Sequence, residues 1–406
     1  MIEVKLKVMK LISRRPFLDI LHIWKTEYIR IFRSPSVFVV FFVATLLYPL
    51  LYGMVYKEEV LRDVPVAVVD RSNSSLSRAY IRNLDATPEL KISDKCHSLD
   101  EAKHLFYQHK VHGILFISED FTSQITNGRQ TYVSAYFDMS SFVYYKTIMS
   151  SISIVSKEFG AQIQHKNLVE QGLTEQQASV AVNPLPYNGV ALFNSGGGFA
   201  SFLLPGILVL ILYQTLMLGI NVLAGGDWEE NQMSKYRPMT KRYHGTLRIV
   251  LGKSLCYFTI YAVLAFYLFG FIVRLFNLPH IGSSWDLVIF MIPFLLSTIF
   301  LAMTLSICMR NLESAFLLLL FSTLPLLFLA GVSWPQTNIP TFWKAVSYLF
   351  PSTHGIQGYV RINTMTANLH EVSKEFFILW LQTGVYFITA WFSYRWLILH
   401  PKKSKK

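Results

Sequence analysis

What most constrains this chain is a set of apolar runs, each long enough to cross a bilayer. A span needs about 20 consecutive, mostly apolar residues. Residues 37–56, VFVVFFVATLLYPLLYGMVY, supply one with no internal charge. The run starts too deep in the chain for a cleaved signal peptide and has no small-residue cleavage site. Further runs follow at about 199–224, 249–273, 287–309, 315–333 and 376–399. The pattern predicts about six spans, one and then five, separated by a long insert. Composition points the same way. Of 406 residues only 15% are charged and 52% are hydrophobic, whereas soluble domains carry about 25% charge. That excludes a disordered chain and argues against a purely cytosolic enzyme. Three cysteines are too few for a disulfide scaffold.

The net charge of +12 follows the spans. Lys5, Lys7, Lys10, Arg14, Arg15, Lys25, Arg30 and Arg33 precede the first, and Arg395, Lys402, Lys403, Lys405 and Lys406 end the chain. Lys235, Arg237, Lys241, Arg242 and Arg248 follow the second, while the loop NLPHIGSSWD between the third and fourth has neither Lys nor Arg. The positive-inside rule then places both termini in the cytoplasm and the insert outside. Much of the charge is therefore topological, and nucleic acid is not an expected partner.

The chain divides into a cytoplasmic N-terminal segment (1–36), a first span (37–56), an extracytoplasmic insert (57–198), a five-span region (199–399) and a basic tail (400–406). The fold class expected is an α-helical integral membrane protein with an inserted α/β domain. Within the insert, residues 64–69 form a buried-strand run ending at Asp70, and residues 73–83 read as a helix. Ser98-Leu-Asp-Glu101 is a capping box opening a helix to about His109. Residues 111–117 read as a strand, a short helix through Phe121 stops at Asn127-Gly128, and residues 131–137 read as another strand. After Asp138 a single helical stretch runs to about Val182. The insert is thus an α/β layer.

Few residues suggest chemistry. Gly252-Lys253-Ser254 resembles the end of a phosphate-binding loop, but the glycine required five positions earlier is Leu247. No catalytic residues are predicted, no cofactor is expected on this chain, and any ATP and Mg would be bound by a separate subunit. Cys96, His97, His104, His109 and His112 crowd one stretch without zinc-site spacing, so no metal site is predicted. Asn194-Ser-Gly-Gly-Gly198 reads as a flexible joint. Arg274, Lys253 and Arg310 lie at span ends and are expected to snorkel. With no central acid or His in the spans, a proton-coupled transporter is disfavoured.

Two segments look like docking elements. Ile23, Trp24, Glu27, Tyr28, Ile31 and Phe32 recur at helical spacing, giving an amphipathic helix over 22–33 with Arg30 and Arg33 on it. Membrane seating alone accounts for that pattern equally well. The loop at 225–248 carries Asp227, Trp228, Glu229, Glu230, Lys235, Tyr236, Arg237 and Pro238. Its mixed charge suits a short amphipathic helix in a partner's groove, or simply a basic loop on the cytoplasmic side.

Taken together, these pieces resemble the permease subunit of type-2 ABC exporters, in the branch with a large outer domain between the first two spans. The resemblance is carried by Arg30-Ile-Phe-Arg-Ser-Pro35, by Val64-Pro-Val-Ala-Val-Val-Asp70 with Asn73 and Ser77-Arg78, and by residues 111–121 with Asn127-Gly128. It continues in Leu329-Ala-Gly-Val-Ser-Trp-Pro335, Ile339-Pro340, Leu349-Phe-Pro-Ser-Thr353 and Gly358-Tyr-Val-Arg361. In one place the sequence departs: Met233-Ser234 stands where the family has Gly-Thr, and Gly245-Thr246 comes later.

The resemblance implies an inner-membrane export subunit for a hydrophobic or amphipathic, drug-like substrate. Cytoplasmic ABC ATPases would dock on 227–242 and on the connector around Trp24, Glu27, Tyr28, Arg30 and Arg33. A second permease copy or homologue, and a periplasmic adaptor, are implied as further partners. Trp334, Pro335, Pro340, Pro351, Gly358 and Arg361 would belong to an outer gate in a re-entrant loop at 334–375. A receptor or scaffold whose outer domain binds a ligand and signals inward is the alternative. The short cytoplasmic loops, with no output domain, weaken it.

Overall fold

The computed structural model describes residues 16–186, 189–240 and 245–400. The N-terminal basic residues up to Arg15, Lys241 and Arg242, and the basic tail from Pro401 lie outside those residues. The chain forms two compact units, one of residues 58–190 and one of residues 1–57 with 191–406.

The larger unit is helical. Its first described helix, α1 (Pro16–Arg33), ends at Ser34 because Pro35 disfavours helical backbone in the residue before it. Pro35 then occupies the first turn of α2 (Pro35–Val55), where its missing N–H costs nothing. Helix α8 (Phe199–Glu229) is the central one: most of its residues are buried, and it packs against α2, α10 (Gly245–Leu275), α11 (Ser284–Cys308), α12 (Leu312–Leu329) and α14 (Pro351–Met365). The last helix, α15 (Ser373–Leu399), packs chiefly on α11.

Among the described residues five helices are long and apolar enough to cross a membrane: α2, α8, α10, α11 and α15. The sixth expected run falls on α12, 18 residues with Glu313 as its one charge. At 1.5 Å per residue that helix is about 27 Å long, just under the bilayer's hydrocarbon thickness of about 30 Å. Pro49, Pro205, Pro293 and Pro325 each lie inside one of these apolar helices.

The smaller unit is an α/β layer. Its four strands, β1 (Val64–Asp70), β2 (Leu90–Lys95), β3 (Gly113–Ile117) and β4 (Val133–Phe137), lie in the order β2-β1-β3-β4. The first three are parallel and β4 is antiparallel to β3. Helices α3 (Ser75–Asp85) and α6 (Phe142–Glu170) cover one face through Tyr80, Ile81, Leu84, Ile148, Ile152, Val155 and Phe159. Helix α4 (Leu99–Tyr107) covers the other through Ala102, beside Val111 and Ile114. The short helix α5 is Phe121–Thr126.

Three details differ from the sequence reading. Strand β2 was not expected, because LKISDK is a charged edge segment without an apolar run. The helical stretch expected to run unbroken to Val182 divides into α6 and α7 (Glu175–Val182). Gly172 takes a positive φ of 96°, and Thr174 restarts the helix with a reciprocal cap to Gln177. At α4, Ser98 caps the helix by accepting from the Glu101 amide, but the Glu101 carboxylate reaches back to the His97 amide, one residue beyond the reciprocal position.

The motif at the start of this unit has a local reason. Asp70 ends β1 and accepts from the amides of Ser72 (3.0 Å) and Asn73 (3.1 Å) and from the Ser77 hydroxyl (2.7 Å). Ser74 and Ser77 form a reciprocal cap on α3, and Arg78 donates back to the Asn73 carbonyl at 2.8 Å. One carboxylate thus organises the whole strand-to-helix turn.

Candidate functional site: a buried charge cluster under the connector helix

Helix α1 presents Asp19, Ile23, Glu27 and Ile31 at four-residue spacing, and all four are buried. That face packs on α10. The approach is close because position 252 is glycine: a Cβ there would stand 2.7 Å from Ile23 Cβ and 3.0 Å from the Ile20 carbonyl oxygen. At one end of the contact Arg248 Nη1 meets Asp19 Oδ2 at 2.7 Å. Further along, the Trp24 indole donates to Thr259 Oγ1 at 3.2 Å.

Beyond Gly252 the helices enclose a set of charges. Lys253 Nζ lies 2.9 Å from Glu27 Oε1 and 3.4 Å from Asp227 Oδ2, and the side chains of all three are essentially inaccessible. The Arg30 guanidinium pairs with Asp227, approaches Glu27 at 3.9 Å, and donates to the Leu223 carbonyl at 3.4 Å. The Tyr257 hydroxyl donates to Glu27. The Tyr236 and Tyr394 rings each stand 5.8 Å from the Lys253 ammonium, within range of a cation–π contact.

Two carboxylates and two cations make the cluster formally neutral, so each desolvated charge has an opposite partner. Burial pushes the Glu27 carboxyl up, but Lys253 and Arg30 outweigh it and hold the group below its ordinary value. Burial would lower Arg30, yet Asp227 and Glu27 raise it above its usual range. Both stay charged at neutral pH.

This overturns one expectation: Lys253 does not snorkel. Its ammonium turns inward because two carboxylates await it, one from α1 and one from the end of α8. The sequence signal was the Gly252-Lys253 pair at the head of an apolar run. Arg310 does stay at the edge, exposed, with its guanidinium 4.0 Å above the Trp228 ring and 5.6 Å from Trp396.

The expected coupling loop divides into two sets. Asp227, Trp228 and Glu229 form the last turn of α8; a 3-10 turn (Gln232–Tyr236) and the short helix α9 (Arg237–Thr240) follow. Asp227 is buried in the cluster, while Trp228 and Tyr236 are half-buried. Glu229, Glu230, Lys235, Arg237 and Pro238 are exposed. On α1, Glu27 is buried and Arg30 and Trp24 are half-buried, whereas Tyr28 and Arg33 are exposed. Trp24, Tyr28 and Phe32 form a ring ladder with centroids 5.7 and 4.9 Å apart.

The loop at 334–375 is largely helical. Trp334 is exposed, Pro335 precedes a 3-10 turn (Gln336–Asn338), and Pro340 precedes α13 (Thr341–Ser347). Pro351 sits in the first turn of α14. Gly358 faces α11 so closely that a Cβ would stand 2.0 Å from the Phe290 ring. Arg361 pairs with Glu375 at 3.1 Å and donates to the Glu371 carbonyl at 2.8 Å, tying α14 to the start of α15. Within the larger unit, just before α8, the Asn194 side chain closes a turn by bonding both the amide and the carbonyl of Gly198. In the smaller unit, the His112 ring stacks on Tyr144 at 3.9 Å. Among the described residues no three His, Cys, Asp or Glu side chains converge as metal ligands.

A bundle of apolar helices long enough to cross a bilayer, clamped at one end to an amphipathic helix by buried charge, defines a class, the multi-pass membrane protein. Over residues 35–392 the chain matches the family described as ABC-2 family transporter protein, and it belongs to that family. Members are the transport subunits, associate with ATPase subunits and are not themselves enzymes. The chain is also similar to the Linearmycin resistance permease protein LnrN of Bacillus subtilis (strain 168), 31% identical over 110 residues. That alignment spans 27% of this chain and 28% of the relative.

Proposed function

We propose that the chain is the permease subunit of an ATP-driven exporter, with six spans, both termini in the cytoplasm and residues 57–198 outside an inner membrane. The observation that carries this reading is the buried cluster, which joins a helix outside the spans to the ends of two spanning helices. A push on α1 then cannot be absorbed locally. It must break neutralised ion pairs or move α8 and α10 with it.

Separate ATPase subunits dock on the exposed set Glu229, Glu230, Lys235, Arg237 and Pro238, together with the outward face of α1. Closure of the ATPases on ATP shifts the population of span arrangements. Two such permeases, of this chain or of a homologue, enclose the pathway. The substrate this reading implies is hydrophobic or amphipathic. The similarity to a resistance permease supports outward transport of such a compound. Helices α13 and α14 form the outer gate.

The test is co-expression with candidate ABC ATPases, purification through a tag on this chain, and ATP-dependent uptake of a fluorescent amphipathic dye into inside-out vesicles. Co-purification with ATP-dependent accumulation is the expected result. A chain that purifies alone and moves nothing would overturn the reading.

A further inference from the structure

The two edges of the outer sheet are built differently. Edge strand β2 carries Lys91, Asp94 and Lys95 and slips register against β1 between Val66 and Ala67. Charge and irregularity of this kind keep an edge from recruiting another strand. Edge strand β4, VSAYF, has no charge and pairs with β3 in unbroken register. Among the described residues no strand lies on its other side. Tyr132 and Tyr136 are 72% and 46% exposed beside it, and Met139 and Phe142 at its end are 70% and 71% exposed. Val133, Ala135 and Phe137, on the face toward the α6 core, are only half covered.

The register fixes which backbone groups are free. The Asp138 amide donates to the His112 carbonyl at 3.1 Å, and Gly113 stands opposite Phe137. In an antiparallel ladder hydrogen-bonded and non-hydrogen-bonded pairs alternate. Tyr136 and Ser134 therefore bond to β3, whereas Val133, Ala135 and Phe137 aim their N–H and C=O groups at the open edge.

We propose that β4 pairs antiparallel with β4 of a second copy of this chain, about a two-fold axis at Ala135, joining the two sheets into one of eight strands. This rests on the reading that the permease works as a pair, and goes beyond it by naming the surface and restricting the partner to an identical chain. A two-fold pairing needs a self-complementary strand, and this one is. Ala135 meets its own copy, so the crowded centre holds the smallest side chain. Val133 stands opposite Phe137 of the copy, a β-branched and aromatic pair. Tyr136 stands over Ser134 of the copy, and no charge within the strand opposes its like. Every edge-facing amide and carbonyl of Val133, Ala135 and Phe137 is satisfied.

The test uses full-length chain in nanodiscs with Cys308→Ser, leaving two buried cysteines. Two differently tagged copies are co-expressed. A hydrogen-bonded pair sets the two Cα atoms about 5.5 Å apart, within disulfide reach. Ala135→Cys is expected to give a disulfide dimer under mild oxidation, and Lys91→Cys on the opposite edge none. Ala135→Pro removes an amide that points away from β3, so it is expected to leave the fold intact and to abolish cross-linking between Ser134→Cys in one tagged copy and Tyr136→Cys in the other. If the tags co-purify but Ala135→Cys stays uncrosslinked, the copies pair elsewhere and the proposal fails while the paired permease stands. If the tags do not co-purify, the self-pairing fails with it. A heterologous protein trapped at Ala135→Cys would show that the edge serves a different partner, and would equally overturn the proposal.

Discussion

Lys253 Nζ and Glu27 Oε1 are 2.9 Å apart, although 226 positions separate them in the chain. The pair is fully buried, with Asp227, Arg30 and Tyr257 around it. It joins the helix before the first span to the third long apolar helix. Its value lies less in net stability than in the cost of disturbing it, because a lone charge left behind has no solvent to turn to.

Removing one partner should therefore be severe. Lys253→Met leaves the two buried carboxylates Glu27 and Asp227 with Arg30 as the cluster's one remaining cation, with a loss of about 3–5 kcal/mol expected. Thermal unfolding of the purified chain in detergent reads this. The double variant Glu27→Gln/Lys253→Met should recover much of the loss, giving a large positive coupling in a double-mutant cycle. Additive losses would mean that the pair does not interact.

The cluster also has a defined acid limit. The Glu27 carboxyl is held below its ordinary value of 4.5. Its contribution is complete above the unfolded-state value and is lost only as pH falls through the lower folded value. The stability gap between wild type and Glu27→Gln should stay constant from about pH 5 to 8. It should shrink only in more acid solution. A gap already closing at pH 6 would contradict the assignment.

Contact between α1 and α10 depends on the missing side chain at Gly252. Gly252→Val places atoms against Ile23 and the Ile20 carbonyl, and overpacking of this kind costs about 1–3 kcal/mol. The expected readout is a lowered melting temperature together with new labelling of Trp24→Cys by a polar maleimide. Ile23→Ala should relieve only part of the defect, since it removes Cγ2 but leaves the Ile23 Cβ and the Ile20 carbonyl oxygen in the way.

Glu229 and Glu230 behave differently because they are exposed. Glu229→Ala/Glu230→Ala should leave the unfolding free energy within about 0.5 kcal/mol of wild type. Co-purification of the ATPase should fall, as measured by subunit stoichiometry after tag purification. Unchanged stoichiometry would remove these residues from the docking surface.

How much of this was legible follows from how local each signal is. Residues 37–56 and 199–224 read as apolar helices because 20 adjacent residues carry the whole pattern. Strands β1 and β3 were equally plain as short apolar runs ending at Asp70 and Ile117. Strand β2 was missed because at an edge Lys91, Asp94 and Lys95 meet solvent rather than a core. The break at Gly172 was missed although both Gly172 and the Thr174–Gln177 cap were visible, since apolar periodicity resumes beyond it. Asp227 was read as part of an exposed loop and Lys253 as a snorkelling end. Only tertiary packing brings them to Glu27, and no spacing along the chain announces a contact across 226 residues.

The central claim is that the cluster carries motion from α1 to the spans. The most direct measurement is ATP-driven dye uptake by vesicles containing the neutral double variant Glu27→Gln/Lys253→Met, with ATPase stoichiometry measured in the same preparation. The account predicts a folded chain with its ATPases still bound and with uptake largely lost. Full uptake with bound ATPases would contradict it, leaving the cluster a structural clamp with no part in transport.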